Sequence, residues 1–258
     1  MKDYSVKVLS NTLIAKNIYE MSLAVNGEFE VMVGQFVNLS LPEGKHLLRR
    51  PFCIADFDYE EKTITIIYQV VGEGTKIFSA LKEGTQLKAL IGLGNGFWLD
   101  EYKKIMVIAG GMGVAVFPSI FKCYPDASIY TFLGFNTKEQ GIAVDYMQEK
   151  SAEFYMATAD GSIGDKGFVT DVAKREIDRI KPDVIVACGP LPMFKSVKSL
   201  FAEAYDMPIY ISMERRMGCG IGACLVCNCK VKLEGEDTYL RACADGPVFE
   251  AREVDLNE

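Results

Sequence analysis

Residues Lys104-Ile105-Met106-Val107-Ile108-Ala109-Gly110-Gly111-Met112-Gly113-Val114 join a short apolar run to a glycine-rich turn. An apolar run without alternation reads as a strand buried on both faces, and the glycines read as the turn that opens a helix. That helical stretch is expected to continue to about Lys122. Glycines at such a turn let phosphates approach the backbone and a helix N-terminus, so Gly110, Gly111 and Gly113 are candidate nucleotide contacts. The turn is not a full G-x-G-x-x-G, and alone it equally marks an ordinary strand–helix junction. The uncharged run from Ile105 to Phe121 carries glycines and Pro118. It falls short of the ~20 apolar residues of a membrane span.

The same alternation continues toward the C-terminus. Ser128–Leu133, Glu153–Ala157, Asp183–Ala187 and Pro208–Met213 read as strands, and Thr170–Ile180 and Pro192–Tyr205 as helices, with Thr170 as N-cap. Strands alternating with helices predict a doubly wound parallel sheet. A second turn, Cys188-Gly189-Pro190, stops a buried strand and restarts a helix, so both turns are expected to bound one crevice. Cys188 is either a small core residue or a thiol facing a nicotinamide.

Toward the N-terminus the pattern becomes β. Tyr4–Leu9, Glu20–Val25, Gln35–Leu41 and Thr63–Val71 alternate or are β-branched, with turns at Asn26-Gly27, Pro42-Glu43-Gly44 and Glu83-Gly84. These predict a small antiparallel barrel or sandwich with one short helix at Thr75–Leu81. Arg49-Arg50-Pro51 precedes a strand and Gly72-Glu73-Gly74-Thr75 opens the helix; an arginine and a helix N-terminus both suit pyrophosphate. The expected architecture is therefore multi-domain: an antiparallel β-barrel domain over 1–100, an α/β nucleotide domain over 101–213, and a small cysteine-rich domain over 214–258.

That last segment holds five of the eight cysteines. Cys219, Cys224 and Cys227 are spaced C-x4-C-x2-C, and Cys243 follows a hairpin over Asn228–Leu233 and Thr238–Arg241. This is the plant-type ferredoxin spacing for a 2Fe–2S cluster. Small residues at Gly218, Gly220, Gly222 and Ala223 let the backbone wrap a cluster and offer it N–H donors. A four-thiolate zinc loop is the alternative, since Cys227-Asn228-Cys229 adds a further thiol. Cys229 is expected to pack beside the cluster. The stretch Asp245–Glu258, with five acids and one Arg, reads as a solvated end.

Charge and histidine narrow the function. The 258 residues carry 28 Lys+Arg, 35 Asp+Glu and one His, a net charge of −7. There is no basic excess for nucleic acid. A single His46, in a basic turn-like stretch, excludes multi-histidine metal sites and is expected at the surface or in a supporting role. The start Met1–Val6 lacks the apolar core of a signal peptide, which predicts a cytoplasmic protein. No residue stands out as a catalytic acid or base.

Together these motifs resemble the ferredoxin-reductase superfamily. Met217–Cys224, Asp245-Gly246-Pro247-Val248-Phe249 and Leu93-Gly94-Asn95-Gly96-Phe97 are similar to the electron-transfer subunits of dihydroorotate dehydrogenase B, over essentially the whole chain. The resemblance implies FAD bound by Arg50, Pro51, Phe52 and Cys53, by Ile67, Tyr68 and Gln69, and by Gly74 and Thr75. It implies cluster ligands at Cys219, Cys224, Cys227 and Cys243, and NAD at Gly110, Gly111, Gly113, Cys188, Gly189 and Pro190. Cys53 stands where Ser is usual, Gln69 where Arg is common and Ala115 where Pro is frequent. The implied function is a relay between NAD+ and a separate FMN-containing catalytic subunit that oxidises dihydroorotate to orotate, in an α2β2 assembly. The chain has no room for a further ~250-residue barrel. Two rivals stay open: a reductase subunit of a bifurcating ferredoxin:NADP or sulfide dehydrogenase, and a zinc-stabilised binding module without enzymatic activity.

Overall fold

The computed structural model describes residues 2–42 and 46–257, so the turn expected at Pro42-Glu43-Gly44 lies largely outside the described residues. The first segment is a closed antiparallel barrel. Its strands are β1 (Tyr4–Ala15), β2 (Ile18–Val25), β3 (Phe36–Leu39), β4 (Arg50–Asp58), β5 (Thr63–Gln69) and β6 (Gln86–Leu93), ordered β1-β2-β5-β4-β3-β6. Alternate residues such as Val6, Val8, Met21, Leu23, Ile64 and Ile66 point inward and are buried. Strand β1 runs past its expected end because a bulge between Val8 and Ser10 re-registers it on β2. Helix α1 (Glu73–Ser79) packs Phe78 into the barrel core.

The second segment places β7 (Lys104–Gly110), helix α2 (Ile120–Cys123), β8 (Ser128–Phe135), α3 (Val144–Lys150), β9 (Glu153–Thr158), β10 (Asp165–Lys166), α4 (Val169–Ile180), β11 (Val184–Cys188), α5 (Leu191–Val197) and β12 (Ile209–Ser212). A hairpin of β13 (Asn228–Leu233) and β14 (Glu236–Arg241) follows, then β15 (Val248–Glu250). The large sheet runs β10-β9-β8-β7-β11-β12-β15, parallel except for β15, which is antiparallel to β12. The chain reverses direction through the sheet between β7 and β11, which is the switch point where open α/β sheets bind ligands.

Several local expectations are corrected. After Gly113 there is no continuous helix: Gly111–Val116 forms a 3-10 turn and only Ile120–Cys123 is α-helical. Pro118 has no N–H to donate, and Val114 and Val116 are stiff at χ1. Thr170 is not the cap of α4; extended Phe168 holds that position and Thr170 is buried in the first turn. Helix α5 widens into a π-turn over Lys198–Ala202 and stops short of Tyr205. The hairpin turn is two residues, Glu234 and Gly235, at φ 51° and 90°, so β14 starts at Glu236. Both positive values match the tight hairpin turn that follows strand twist.

The acidic tail is not a solvated end. It supplies β15, and Phe249, Ala251, Val254 and Leu256 are buried between its acids. Those residues share one core with Met106, Ile108, Ile185, Ile209 and Phe194, and with Cys227, Cys229, Val231 and Cys243. The opposite face of the sheet, with Ile105, Val107 and Val184, packs on Val114, Phe117 and the barrel residues Ala55 and Ile67. Thus one sheet joins the barrel on one face to the cysteine-rich segment on the other. Two motifs distant in sequence also meet: Asn95 N–H donates to the Gly246 carbonyl at 2.6 Å, and its side-chain amide to the Asp245 carbonyl at 2.9 Å.

Candidate cofactor sites

The cysteine loop arranges four thiols in two pairs, Cys219 with Cys224 and Cys227 with Cys243. Backbone N–H groups aim at the sulfurs: Cys219 N–H at Cys224 Sγ (3.3 Å), Ile221 N–H at Cys219 Sγ (3.4 Å) and Gly222 N–H at Cys243 Sγ (3.1 Å). The loop achieves this by left-handed backbone at Gly220 and Gly222, φ 70° and 82°. Burial penalises the Cys219 thiolate, but donors from Ile221, Cys224 and Ala223 outweigh it and lower its pKa to about 6. Burial, then the neighbouring Cys227, pushes Cys243 up to about 12.

Among the described residues no three His, Cys, Asp or Glu side chains are grouped as around a single metal ion. The C-x4-C-x2-C spacing, with Cys243 brought beside Cys227, is that of a plant-type 2Fe–2S site, whereas zinc sites favour paired C-x2-C knuckles. The thiols and inward N–H donors therefore fit a 2Fe–2S cluster. Cys229 is fully buried with its Sγ 3.9 Å from the Cys227 carbonyl, beside the pairs and outside them. Arg241 clamps the assembly: it bonds Asp245 through Nε and Nη2, both at 2.8 Å, and reaches the Gly222 carbonyl at 3.0 Å. In the sequence Arg241 has no assigned role and Asp245 only a place in a resemblance motif, although their spacing around Cys243 is visible.

A cleft of about 370 Å³ opens between barrel and sheet. Pro51, Phe52, Cys53, Ile67, Tyr68, Gln69 and Thr75 line it, so most of the residues assigned to FAD converge. Arg50 and Gly74 stand beside it and need one another: a Cβ on Gly74 would sit 2.6 Å from Arg50 Nε. Thr75 Oγ1 accepts the Val71 and Gly72 N–H groups, which stops the strand and starts α1. Behind the cleft, Phe52 packs on Tyr68 and Phe78, and Tyr68 donates to Asn11 Oδ1 at 2.9 Å. The roomy, mostly apolar cleft and the arginine cradled on a helix start fit a flavin dinucleotide.

The far wall of this cleft was not foreseen. It comes from Ser212, Met213, Glu214, Arg215 and Met217, at and just after the carboxyl end of β12. Strand-end position was the available signal. Glu214 opens onto the cleft, yet the surrounding walls raise its carboxyl pKa. Burial, then the Glu214 charge, pushes Cys53 up to about 12. Burial also raises Cys188 well above the ordinary thiol value, with Cys53 and Glu214 adding to it. Both thiols are therefore protonated at neutral pH.

The nucleotide crevice has about 240 Å³ and lies over the carboxyl ends of β7, β8, β9 and β11. Gly110, Gly111 and Pro190 line it, as do Gly134, Asn136, Gly167, Phe168 and Thr170, none of them among the expected nucleotide contacts. Gly189 packs against Met193 at the rim, where a Cβ would meet Met193 Cε at 2.5 Å. Gly113 is elsewhere: a Cβ there would lie 2.3 Å from the Cys188 carbonyl, so it serves the packing of the two turns. Cys188 is 1% exposed and donates its thiol to the Ser212 carbonyl, behind the flavin cleft instead of in the crevice. His46 is partly buried with Nε2 3.7 Å from Glu73 at the start of α1.

A flavin cleft on a closed barrel, a nucleotide crevice at a sheet switch point and a ferredoxin-type cysteine loop define a reductase of the ferredoxin-reductase class with an appended cluster segment. The fold agrees with that of a ferredoxin NADP+ reductase from Neisseria gonorrhoeae with bound FAD and NADP, at TM-score 0.64 and 17% identity, over 79% of this chain and 92% of that one. A chain of the NADH-dependent reduced ferredoxin-NADP oxidoreductase, described for flavin-based electron bifurcation, matches at TM-score 0.83 and 31% identity, over 97% and 90%. The family described as the iron-sulfur cluster binding domain of dihydroorotate dehydrogenase B matches residues 214–255. The dihydroorotate dehydrogenase B (NAD(+)) electron transfer subunit of Fusobacterium nucleatum is 39% identical over 99% of this chain and 100% of its own length. That of Clostridium acetobutylicum is 41% identical over 98% and 97%. The chain belongs to the family of electron transfer subunits of dihydroorotate dehydrogenase B.

Proposed function

We propose that this chain relays electrons between NAD(H) and a catalytic partner that oxidises dihydroorotate to orotate, with FAD and a 2Fe–2S cluster as carriers. The observation that carries the reading is the two-pair thiol loop, joined through one sheet to a flavin cleft and a nucleotide crevice. When bound, the flavin would exchange a hydride with a nicotinamide and the cluster would carry single electrons.

The chain's own residues position and insulate. Arg50 and the start of α1 would hold the flavin's phosphates, and Ile67, Tyr68 and Gln69 would help hold the rest of the dinucleotide in the cleft. Gly110, Gly111 and Pro190 leave room for the nucleotide's backbone at the crevice. Protonated Cys53 would present a neutral group to the flavin cleft, with protonated Cys188 buried behind it. Cys219, Cys224, Cys227 and Cys243 hold the cluster, while the N–H donors around them stabilise its charge. The segments 1–100, 101–213 and 214–258 each carry the main contacts of one cofactor, with Ser212, Met213, Glu214, Arg215 and Met217 closing the flavin cleft from outside the first segment.

The partner is proposed as an FMN-containing subunit in an α2β2 complex of the cytoplasm. Among the described residues no helix is long and apolar enough to cross a membrane. Co-expression with that subunit should yield a complex that reduces NAD+ at the expense of dihydroorotate. A complex that reduces ferredoxin or NADP+ but never oxidises dihydroorotate would favour the bifurcating reductase instead.

A further inference from the structure

Asn38 lies on β3, in the wall of the flavin barrel, and is 1% exposed. Across the two ladders it pairs with Pro51 of β4 and Leu90 of β6. Pro51 belongs to the stretch that lines the flavin cleft. The Asn38 amide leaves the barrel: its Nδ2 donates to the Cys219 carbonyl at 3.2 Å. Gly220 admits that approach, because a Cβ there would sit 2.5 Å from Nδ2. The cost of the arrangement is visible, since Asn38 Oδ1 is buried with no hydrogen-bond partner. An apolar residue of the same shape would avoid that cost, and a buried unsatisfied oxygen calls for an explanation.

We propose that Asn38 is a positioning residue for the iron–sulfur cluster, fixing the Cys219 end of the loop against the flavin barrel and tuning the cluster's potential. The inference rests on Cys219 being a cluster ligand. Its physics is that of an outer-shell donor. The Nδ2 dipole draws electron density from the carbonyl of a ligand residue, so the added negative charge of the reduced cluster is better tolerated. The same bond ties the loop to β3, whose neighbour β4 carries Pro51 of the flavin cleft, while the Asn38 side chain itself stays outside that cleft.

The test uses the full chain loaded with FAD and cluster, with redox titration followed by electron paramagnetic resonance of the reduced cluster. In Asn38→Leu the flavin content should equal that of the parent. The cluster should lie about tenfold further toward its oxidised form at a fixed poise, a fall of about 59 mV at one electron, with moved g values. Asn38→Ala removes the same donor with a smaller side chain, leaves the Cys219–Cys224 loop sequence intact and should shift the cluster the same way. If the leucine variant does not fold, the alanine variant decides. A parent-like potential and spectrum in a folded, cluster-bearing variant would overturn the inference. A parent protein without any cluster signal would instead overturn the ligand assignment beneath it.

Discussion

In the cluster loop, four thiols and three sulfur-directed N–H donors come from residues between Cys219 and Cys243. The nucleotide crevice draws its walls from five separate places between Gly110 and Ser196, most of them strand ends. The first site is specified by side-chain chemistry at fixed spacing. The second is specified by where the backbone stops and what is missing there. The contrast predicts that the cluster site fails by loss of one ligand, whereas the crevice fails by added volume or strain.

The largest expected effect is at the ligands. Cys243→Ser should abolish or grossly shift the cluster absorbance, and Cys229→Ser should leave iron and sulfide content at parent levels. Equal loss from both changes would break the assignment of ligands.

The second effect tests whether the cluster segment stands apart from the sheet. Phe249 is 6% exposed in the core common to both. Phe249→Ala should cost about 3–5 kcal/mol. In a denaturant melt the cluster absorbance and the helical signal should fall together, while an early cluster-only transition would show an independent module.

A smaller effect belongs to the crevice. Gly111 is left-handed, φ 54°, with open space where a methyl group would point, so Gly111→Ala meets strain but no clash. It should cost about 1–2 kcal/mol and weaken NADH binding, measured by calorimetry, without changing cluster content. Gly113→Ala faces the Cys188 backbone instead and should lower the melting temperature more than Gly111→Ala.

The smallest is electrostatic. The Arg241 hydrogen bond, opposed by partial burial, holds the Asp245 carboxyl below its ordinary value. Its contribution is therefore present above the unfolded pKa near 3.9 and lost as pH falls through the lower folded value. Half-exposed pairs of this kind are worth about 1 kcal/mol or less. Asp245→Asn should remove that share of stability at neutral pH and flatten the loss of cluster absorbance below about pH 4.

The same contrast explains what the sequence made legible. Cys219, Cys224, Cys227 and Cys243 stood out because a cluster demands their spacing, and β7 stood out because both its faces are buried. Glu214 and Asn38 did not, because each is a single polar residue whose meaning depends on a partner far along the chain. The tail reads as solvated for a related reason: its acids are plain in the sequence, but the sheet edge of β12 that receives β15 is not. Pro118 is equally plain, yet its power to interrupt the expected helix emerges only beside the stiff valines that precede it.

The most direct test of the relay is an anaerobic NADH titration of the purified full chain, followed by absorption and electron paramagnetic resonance. The relay predicts flavin bleaching, a reduced-cluster signal, and an endpoint of about 1.5 NADH per chain for one two-electron and one one-electron carrier. A colourless protein with bound zinc, or a flavin that NADH leaves oxidised, would contradict it.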